Sequence, residues 1–356
     1  MSQPTSPEPS PQRLSFTDTG LQWAWDATSS SALKECPRKY QYQIVQNWTG
    51  KGSSHHLTFG TLFHSALEEY HKHVAAGLSH EVAVRRVVRS TLEASGSRDL
   101  DRSGCPQCDG WAQPQVAEGR WRYVCSSCGL TGDWREGRAP RRFTPWDSGD
   151  TAKNRRTLLR SIVWYFEHYR DDPIKPLLLA DGKPAVELSF RFDTGETFSD
   201  GTPIYFSGHL DLLGEMGSAL YILDHKTAGS TLTSYYFDRY SPDNQMSMYT
   251  FAGKVITGRE VRGVIIDAAQ IAVGFTRFSR GFANRSPAQL EEWFQDTITA
   301  IRQAEHYHQQ NYYPMNDKSC FNCPFQPICA KDPAVRDMYL RSNFAKREGW
   351  DPLRIR

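Results

Sequence analysis

The stretch Ser207-Gly208-His209-Leu210-Asp211, followed by Ile222-Leu223-Asp224-His225-Lys226, decides the fold. Both segments have the make-up of strands, and residues 214–218 between them read as a turn, which predicts an antiparallel hairpin. Asp224 and Lys226 are two apart on a strand and so face the same side. With a turn at residues 215–218, Asp211 falls opposite Ile222, and Asp211, Asp224 and Lys226 share one face. Two carboxylates this close are unfavourable unless a cation neutralises them. Oxygen ligands of this kind suit Mg²⁺ or Mn²⁺. A lysine beside them can orient or help deprotonate a water and can stabilise developing phosphoryl charge. In-line attack on a phosphodiester needs those parts. A D-x-K tripeptide is also common, and a buried salt bridge between Lys226 and one aspartate is the plainer alternative.

Outward from the hairpin, residues 185–192, 204–213, 219–225, 261–273 and 274–280 read as strands. Residues 29–46, 59–76, 80–94, 151–170, 241–257 and 287–311 read as helices. Ser29, Ser30 or Ser31 can cap the first, and Ser241-Pro242 suits the start of the fifth. In the second, Phe63, Ala66, Leu67 and Tyr70 form the apolar stripe and His64 lies beside it. Helices around a small mixed sheet predict an α/β fold. There is no internal repeat and no Walker A motif.

The chain has 356 residues, enough for one to two domains, and no stretch approaches a membrane span. A net charge of +2 excludes a strongly basic footprint but not a local patch. Residues 1–20 hold Pro4, Pro7, Pro9 and Pro11 without an apolar run, and read as a tail rather than a signal peptide. With no signal peptide, eight cysteines in C-x-x-C spacing point to metal rather than disulfides.

Cys105, Cys108, Cys125 and Cys128 have the spacing of a zinc ribbon. Four thiolates about one zinc leave no open position for catalysis, which favours a structural role. The ribbon also interleaves Trp111, Trp121, Tyr123 and Trp134 with Arg120, Arg122 and Arg135. Such a surface can contact phosphates and stack on unpaired bases, or its aromatics can form the module's small core. Cys320, Cys323 and Cys329 form the other group, with Cys36 lying 284 positions upstream of Cys320. Three clustered thiolates and a distant one can ligate an iron–sulfur cluster, but spacing alone does not choose iron over zinc.

Six motifs then occur together. They are Ser31 to Tyr40 (S-x-x-x-x-C-P-R-K-Y), Gly60 to His64 (G-T-L-F-H), Gly208 to Asp211 (G-H-L-D), Asp224 to Lys226 (D-H-K), Gln245 to Tyr249 (Q-M-S-M-Y) and the C-terminal cysteine triplet. In this order they resemble the PD-(D/E)XK nucleases of the RecB-like branch, over most of the chain. The resemblance implies a restriction-endonuclease-like core, a mixed central sheet flanked by helices. It implies that His64, Asp211 and Asp224 ligate the metal with help from the His225 backbone carbonyl, and that Lys226 is the catalytic lysine. Gln245 and Tyr249 match the family's Q-x-x-x-Y motif near the active site and DNA, and Glu187 takes the place of an acidic residue that some members carry. One cysteine before the core and three after it resemble the AddB-type and CRISPR-associated exonucleases, which implies that Cys36, Cys320, Cys323 and Cys329 hold a [4Fe–4S] cluster. The inserted ribbon is a departure from the family's minimal core.

The expected organisation is a tail (1–20), N-terminal helices of the nuclease domain (21–98), an inserted zinc ribbon (99–145), the nuclease core with the cysteine triplet (146–335) and a basic C-terminal tail (336–356). The expected function is a Mg²⁺- or Mn²⁺-dependent deoxyribonuclease, an exonuclease acting on single strands or ends in DNA repair or recombination. Its expected place is the cytoplasm of a bacterium or phage-infected cell, away from membranes, and a helicase or recombination protein is the expected partner. The competing readings are a catalytically inactive DNA-binding protein built on the same iron–sulfur and zinc scaffolds, and a redox sensor.

Overall fold

The computed structural model of the protein describes residues 14–51, 55–95, 112–125, 128–136, 148–346 and 351–353. Two compact units emerge. The first comprises Met1–Ser54, Asp171–Gln270 and Phe278–Arg356, and the second His55–Arg170 with Ile271–Arg277.

In the first unit, β1 (Ala24–Trp25) leads into α1 (Ala27–Glu35), α2 (Pro37–Tyr40), a turn of π-helix (Gln41–Val45) and β2 (Trp48–Gly50). The single helix expected over 29–46 is therefore broken. Cys36 is the break, with extended backbone (φ −163°, ψ 115°). The proline that follows explains it, because the Pro37 ring clashes with a helical preceding residue. The cap is Asp26 rather than one of the serines: its side chain accepts the Ser29 N–H, and Ser29 reciprocates in a capping box. Residues 15–24 are also tied into this unit, through a bridge between Phe16 and Gln22 and a bond from Trp23 N–H to the Ser15 carbonyl.

The second unit holds α3 (His55–Ala75), α4 (His80–Ala94), a three-stranded antiparallel sheet of β3 (Ala112–Ala117), β4 (Arg120–Cys125) and β5 (Arg135–Glu136), and α5 (Arg155–His168). Phe63, Ala66 and Leu67 are buried along α3, and Tyr70 stacks on Phe166 of α5 at 4.1 Å. The predicted stripe is thus the packing face.

Back in the first unit come β6 (Lys175–Pro176), β7 (Val186–Thr197), β8 (Pro203–Met216), β9 (Ala219–Ala228), α6 (Ser234–Asp238), α7 (Asn244–Thr257), β10 (Val261–Ile271), whose last residue belongs to the other unit, and β11 (Thr276–Asn284), whose first two residues do. Then follow α8 (Pro287–Gln309), α9 (Gln326–Cys329), α10 (Arg336–Asn343) and β12 (Phe344–Lys346), which pairs with β2. Part of the expected basic tail is therefore ordered structure. Helix α7 starts three residues later than predicted, because Asp243 caps it by accepting the Met246 N–H.

The central sheet has seven strands in the order β1-β8-β9-β10-β11, with β6 and β7 also paired to β8. It is mixed: β8 runs antiparallel to β7 and β9, while β1–β8 and β9–β10 are parallel. Along β9 the side chains alternate. Leu220 and Ile222 join the main core with Met246, Tyr249 and Ala252 of α7, whereas Tyr221 and Leu223 join a smaller cluster with Ile174, Leu212 and Ile265. The period of two carries Asp224 and Lys226 onward along the face that α7 covers and turns His225 to the other. Among the described residues no helix is long and apolar enough to cross a membrane.

Candidate active site

The site begins where β8 and β9 part. Their turn is the two residues Gly217 and Ser218, with Met216 opposite Ala219 and Gly217 at φ +62° as such a tight turn requires. Continuing this register sets Asp211 across from Asp224, not Ile222. The correction is by two residues, an even number, so the shared face is kept. The last ladder pair is Leu212 with Leu223. Beyond it the Asp211 carboxylate replaces a strand partner, its Oδ2 accepting the His225 backbone N–H at 2.8 Å. On the same edge of β8 the next pairing, to β1, starts only at Phe206. A glycine is needed in this interval: a Cβ on Gly208 would meet the Phe190 ring at 2.9 Å.

Asp224 is 1% exposed, and its Oδ2 lies 2.6 Å from Lys226 Nζ. Lys226 also donates to Gln245 Oε1 at 3.1 Å, and Gln245 Nε2 donates to the Tyr249 hydroxyl at 2.9 Å. Gln245 and Tyr249 stand one turn apart on α7, so one helix face closes the chain. Burial by itself would depress the Lys226 ammonium, but Asp224 and then Asp211 outweigh it and raise it above the ordinary lysine value. Burial, then the charges of Asp224, Asp211 and Asp26, hold the Tyr249 phenol far above its usual range. Lys226 is thus a cation and Tyr249 a neutral donor in an acidic site.

Glu187 lies on β7 between Val186, which pairs with Leu212, and Leu188, which pairs with Leu210. Its place is therefore beside Asp211, and carboxylate oxygens of the two come within 4.8 Å. Its backbone sits at φ +48°, in the left-handed region that costs an L-residue about 1–2 kcal/mol. Strain of this kind persists only where the surrounding structure enforces it, and it clusters at functional sites. Glu187→Gly is accordingly expected to stabilise the fold by about 1 kcal/mol. The same change should raise the Mn²⁺ concentration for half-maximal cleavage about tenfold or more, the scale seen when even outer partners of metal sites are removed. Urea unfolding beside a Mn²⁺ titration measures both; unchanged metal dependence would remove Glu187 from the site.

The oxygen donors fit a hard divalent cation. Lys226 already stands as a positive charge against Asp224, which a site built for a cation would accept. His64 is half-buried on α3, in the second unit.

Sequence reasoning missed two features. The first is Asp26, whose carboxyl is pushed up to about 6, by burial above all. The D-x-x-S pattern with Ser29 was its readable signal. The folded protein binds this proton more tightly than the unfolded chain, so the group favours folding at acid pH, and that favour is lost as pH rises through about 6. Asn caps as well as Asp. Asp26→Asn should therefore gain stability against the parent by about 2 kcal/mol between about pH 4 and about pH 7. Urea midpoints at the two pH values test this; a difference independent of pH would refute it. The second is a buried chain behind β9: His225 Nδ1 lies 3.3 Å from Asp267 Oδ2, Arg280 Nη2 lies 3.3 Å from the same oxygen, and Arg280 grips Asp172 through both guanidinium nitrogens. It anchors the reverse side of the strand that carries Asp224 and Lys226. A further group that could hold an ion is His55, His56 and Asp150 in the second unit, signalled in sequence only by the adjacent histidines.

The C-terminal cysteines and Cys36 are brought to one place. Cys36 is buried, and its Sγ accepts the Asn316 N–H at 3.3 Å. Burial foremost, and then the neighbouring Cys323 and Cys36, raise the Cys320 thiol, and the same influences act on Cys329 against the opposing pull of Arg38 and Arg336. Thiols that raise one another's pKa need positive charge between them to ionise together, which fits a metal or cluster. Of the ribbon cysteines, Cys105 and Cys108 lie outside the described residues, as does Trp111. Cys125 ends β4, and the Cys128 N–H donates to its Sγ at 3.5 Å. The ribbon's aromatics divide: Trp121 is buried with Arg135 over its ring, while Trp134 remains partly exposed beneath Arg122 at 4.6 Å.

The family model described as the PD-(D/E)XK nuclease superfamily matches residues 24–330. No curated protein matches the chain significantly. Solved structures that it is similar to include a "Putative exonuclease" from Eubacterium rectale, at 9% identity over 90% of this chain and 93% of that one, TM-score 0.39. Another is the protein SSO0001, at 10% identity over 49% and 76%, TM-score 0.25. Both TM-scores are low, and neither likeness bears on function.

Proposed function

The chain belongs to the PD-(D/E)XK nuclease superfamily, and from that premise we propose that it is a divalent-metal-dependent deoxyribonuclease that processes DNA ends as an exonuclease. The observation that carries this reading is the run Asp224–Lys226–Gln245–Tyr249, with Asp211 beside it where β8 parts from β9 and Glu187 next to Asp211 on the paired strand β7. Asp211, Asp224 and Glu187 would hold Mg²⁺ or Mn²⁺. His64 and the His225 carbonyl keep the ligand roles that the family motifs assign them.

Bound there, the metal supplies a Lewis acid and a more acidic water. The chain's own residues do the rest. In hydrolysis a P–O bond forms to water, an ester P–O bond breaks, the water's proton passes to solvent and the departing oxygen takes up a proton. Lys226, beside Asp224, can orient the attacking water and donate to charge developing on the phosphoryl oxygens. Gln245 fixes the direction of that ammonium, and Tyr249 fixes Gln245.

We further propose that Cys36, Cys320, Cys323 and Cys329 hold a [4Fe–4S] cluster and that Cys105, Cys108, Cys125 and Cys128 hold zinc in an inserted ribbon. DNA repair or recombination is the proposed setting, in the cytoplasm, with any unwinding left to a helicase partner. The test is degradation of 5′- and 3′-labelled single- and double-stranded DNA with Mg²⁺ or Mn²⁺. Label released progressively from ends supports the reading. Tight DNA binding without any metal-dependent cleavage overturns it in favour of an inactive DNA-binding protein.

A further inference from the structure

Past Lys226 the strand β9 ends, and residues 229–233 lead into α6. A cavity of about 510 Å³ opens there, lined by Ser230, Thr231, Thr233, Tyr235, Tyr236 and Arg239, with Asp238 at its edge. Its size is that of small-ligand pockets, commonly about 300–1,000 Å³. Tyr235 is 86% exposed, so no core packing explains an aromatic ring at that position. Arg239 is positioned rather than loose. Its guanidinium lies 4.2 Å from the Tyr236 ring centre and 4.8 Å from that of Tyr240, and it donates to the Tyr240 hydroxyl at 2.8 Å. The cavity residues begin two positions after the end of β9, the strand that carries Asp224 and Lys226.

We propose that this cavity receives an unpaired nucleotide of the DNA strand being cut, with Tyr235 stacking on the base and Arg239 meeting the adjoining phosphate. Exposed aromatic rings and basic groups are the means by which proteins hold single strands without reading sequence. In a duplex the bases stack on one another and present no face to such a ring. The site therefore selects single strands and frayed ends over blunt duplexes. This inference rests on the nuclease reading and names the substrate form that the same site prefers. Asp238 is the one acidic group among the described residues that line the cavity; its carboxylate can accept from a base amino group but repels phosphate, which favours the phosphate lying toward Arg239.

The test is equilibrium binding in EDTA of a fluorescent single-stranded oligonucleotide and of its blunt duplex, to the full-length protein. Stacking is worth about 1–3 kcal/mol per base. Tyr235→Ala should weaken single-strand binding about tenfold and leave duplex binding within about twofold, while Tyr235→Phe stays near the parent. Arg239→Gln should lower the slope of log affinity against log salt for single strands by about 0.7, one phosphate contact. Unchanged single-strand affinity in Tyr235→Ala, or an equal loss on both substrates, overturns the subsite. Because no cleavage is needed, the two proposals separate: a Tyr235 effect in a protein that never cuts keeps the subsite and sinks the nuclease, and cleavage without a Tyr235 effect does the reverse.

Discussion

Replacing Lys226 with alanine is expected to cut the single-turnover rate of DNA cleavage about a thousandfold, the upper range for removing one preorganised charge donor. The same change should also weaken the fold. Asp224 is 1% exposed and has the Lys226 ammonium at 2.6 Å; a buried charge left without its partner costs about 3–5 kcal/mol. The rate must therefore be read per folded molecule, with circular dichroism and urea unfolding beside it. Asp224→Asn removes the charge rather than its partner and should abolish cleavage to a similar degree with less loss of stability. The double variant Asp224→Asn with Lys226→Gln should recover part of the stability and none of the activity. A purely structural ion pair, the plainer alternative for a D-x-K strand, predicts the opposite: lower stability throughout and a rate per folded molecule within about tenfold of the parent. That outcome would end the assignment of Lys226 as a functional donor.

The two arms of this experiment follow from how β9 is built, and much of that was legible in the sequence. Strand alternation alone places Asp224 and Lys226 on one face. The hairpin turn is two residues shorter than its sequence suggests, and a shift of two residues returns every side chain to the same face, so Asp211 still shares a face with Asp224. A shift of one would have turned Asp211 away from Asp224. Gln245 and Tyr249 were legible for the corresponding helical reason. The break at Cys36 was also written in the sequence, in Pro37, and was overridden by the apolar stripe on either side. Other features had no local signal. Nothing near Glu187 announces a left-handed backbone, because the conformation is imposed by β8 beside it. Likewise Asp267, Arg280 and Asp172 are far apart in the chain and meet His225 only because β9, β10 and β11 are neighbours. Tyr235 reads as one more aromatic in an aromatic-rich stretch until its exposure is known.

The cysteines give the second large effect, on stability. Cys36 and Cys320 enclose 284 positions of chain. By the chain-entropy model built for disulfides, closing so long a loop is worth on the order of 5 kcal/mol. Much of the junction holds without any metal: Asn316 Nδ2 and the Ser319 hydroxyl both bond the Glu35 carbonyl, and Cys323 and Cys329 pack against Phe325 and Phe344. Hydrogen bonds and packing would not supply charge balance if the four cysteines together were to bind a metal as thiolates. Arg38 and Arg336 oppose the rise of Cys329 but do not cancel it. The iron–sulfur cluster proposed above would supply that positive charge and tie residue 36 to residues 320–329. Protein purified anaerobically should then be brown, absorb near about 400 nm and carry about four iron atoms, with one zinc from the ribbon. Removing the iron, or substituting Cys320→Ser, should lower unfolding stability by several kcal/mol. The same treatment should leave DNA binding by the remaining folded fraction in place, since Tyr235 and Lys226 belong to the β9 end of the sheet. Colourless protein with two zincs would overturn the cluster. An unchanged urea midpoint after iron removal would overturn the staple while leaving the cluster, and would turn attention to a redox role for it.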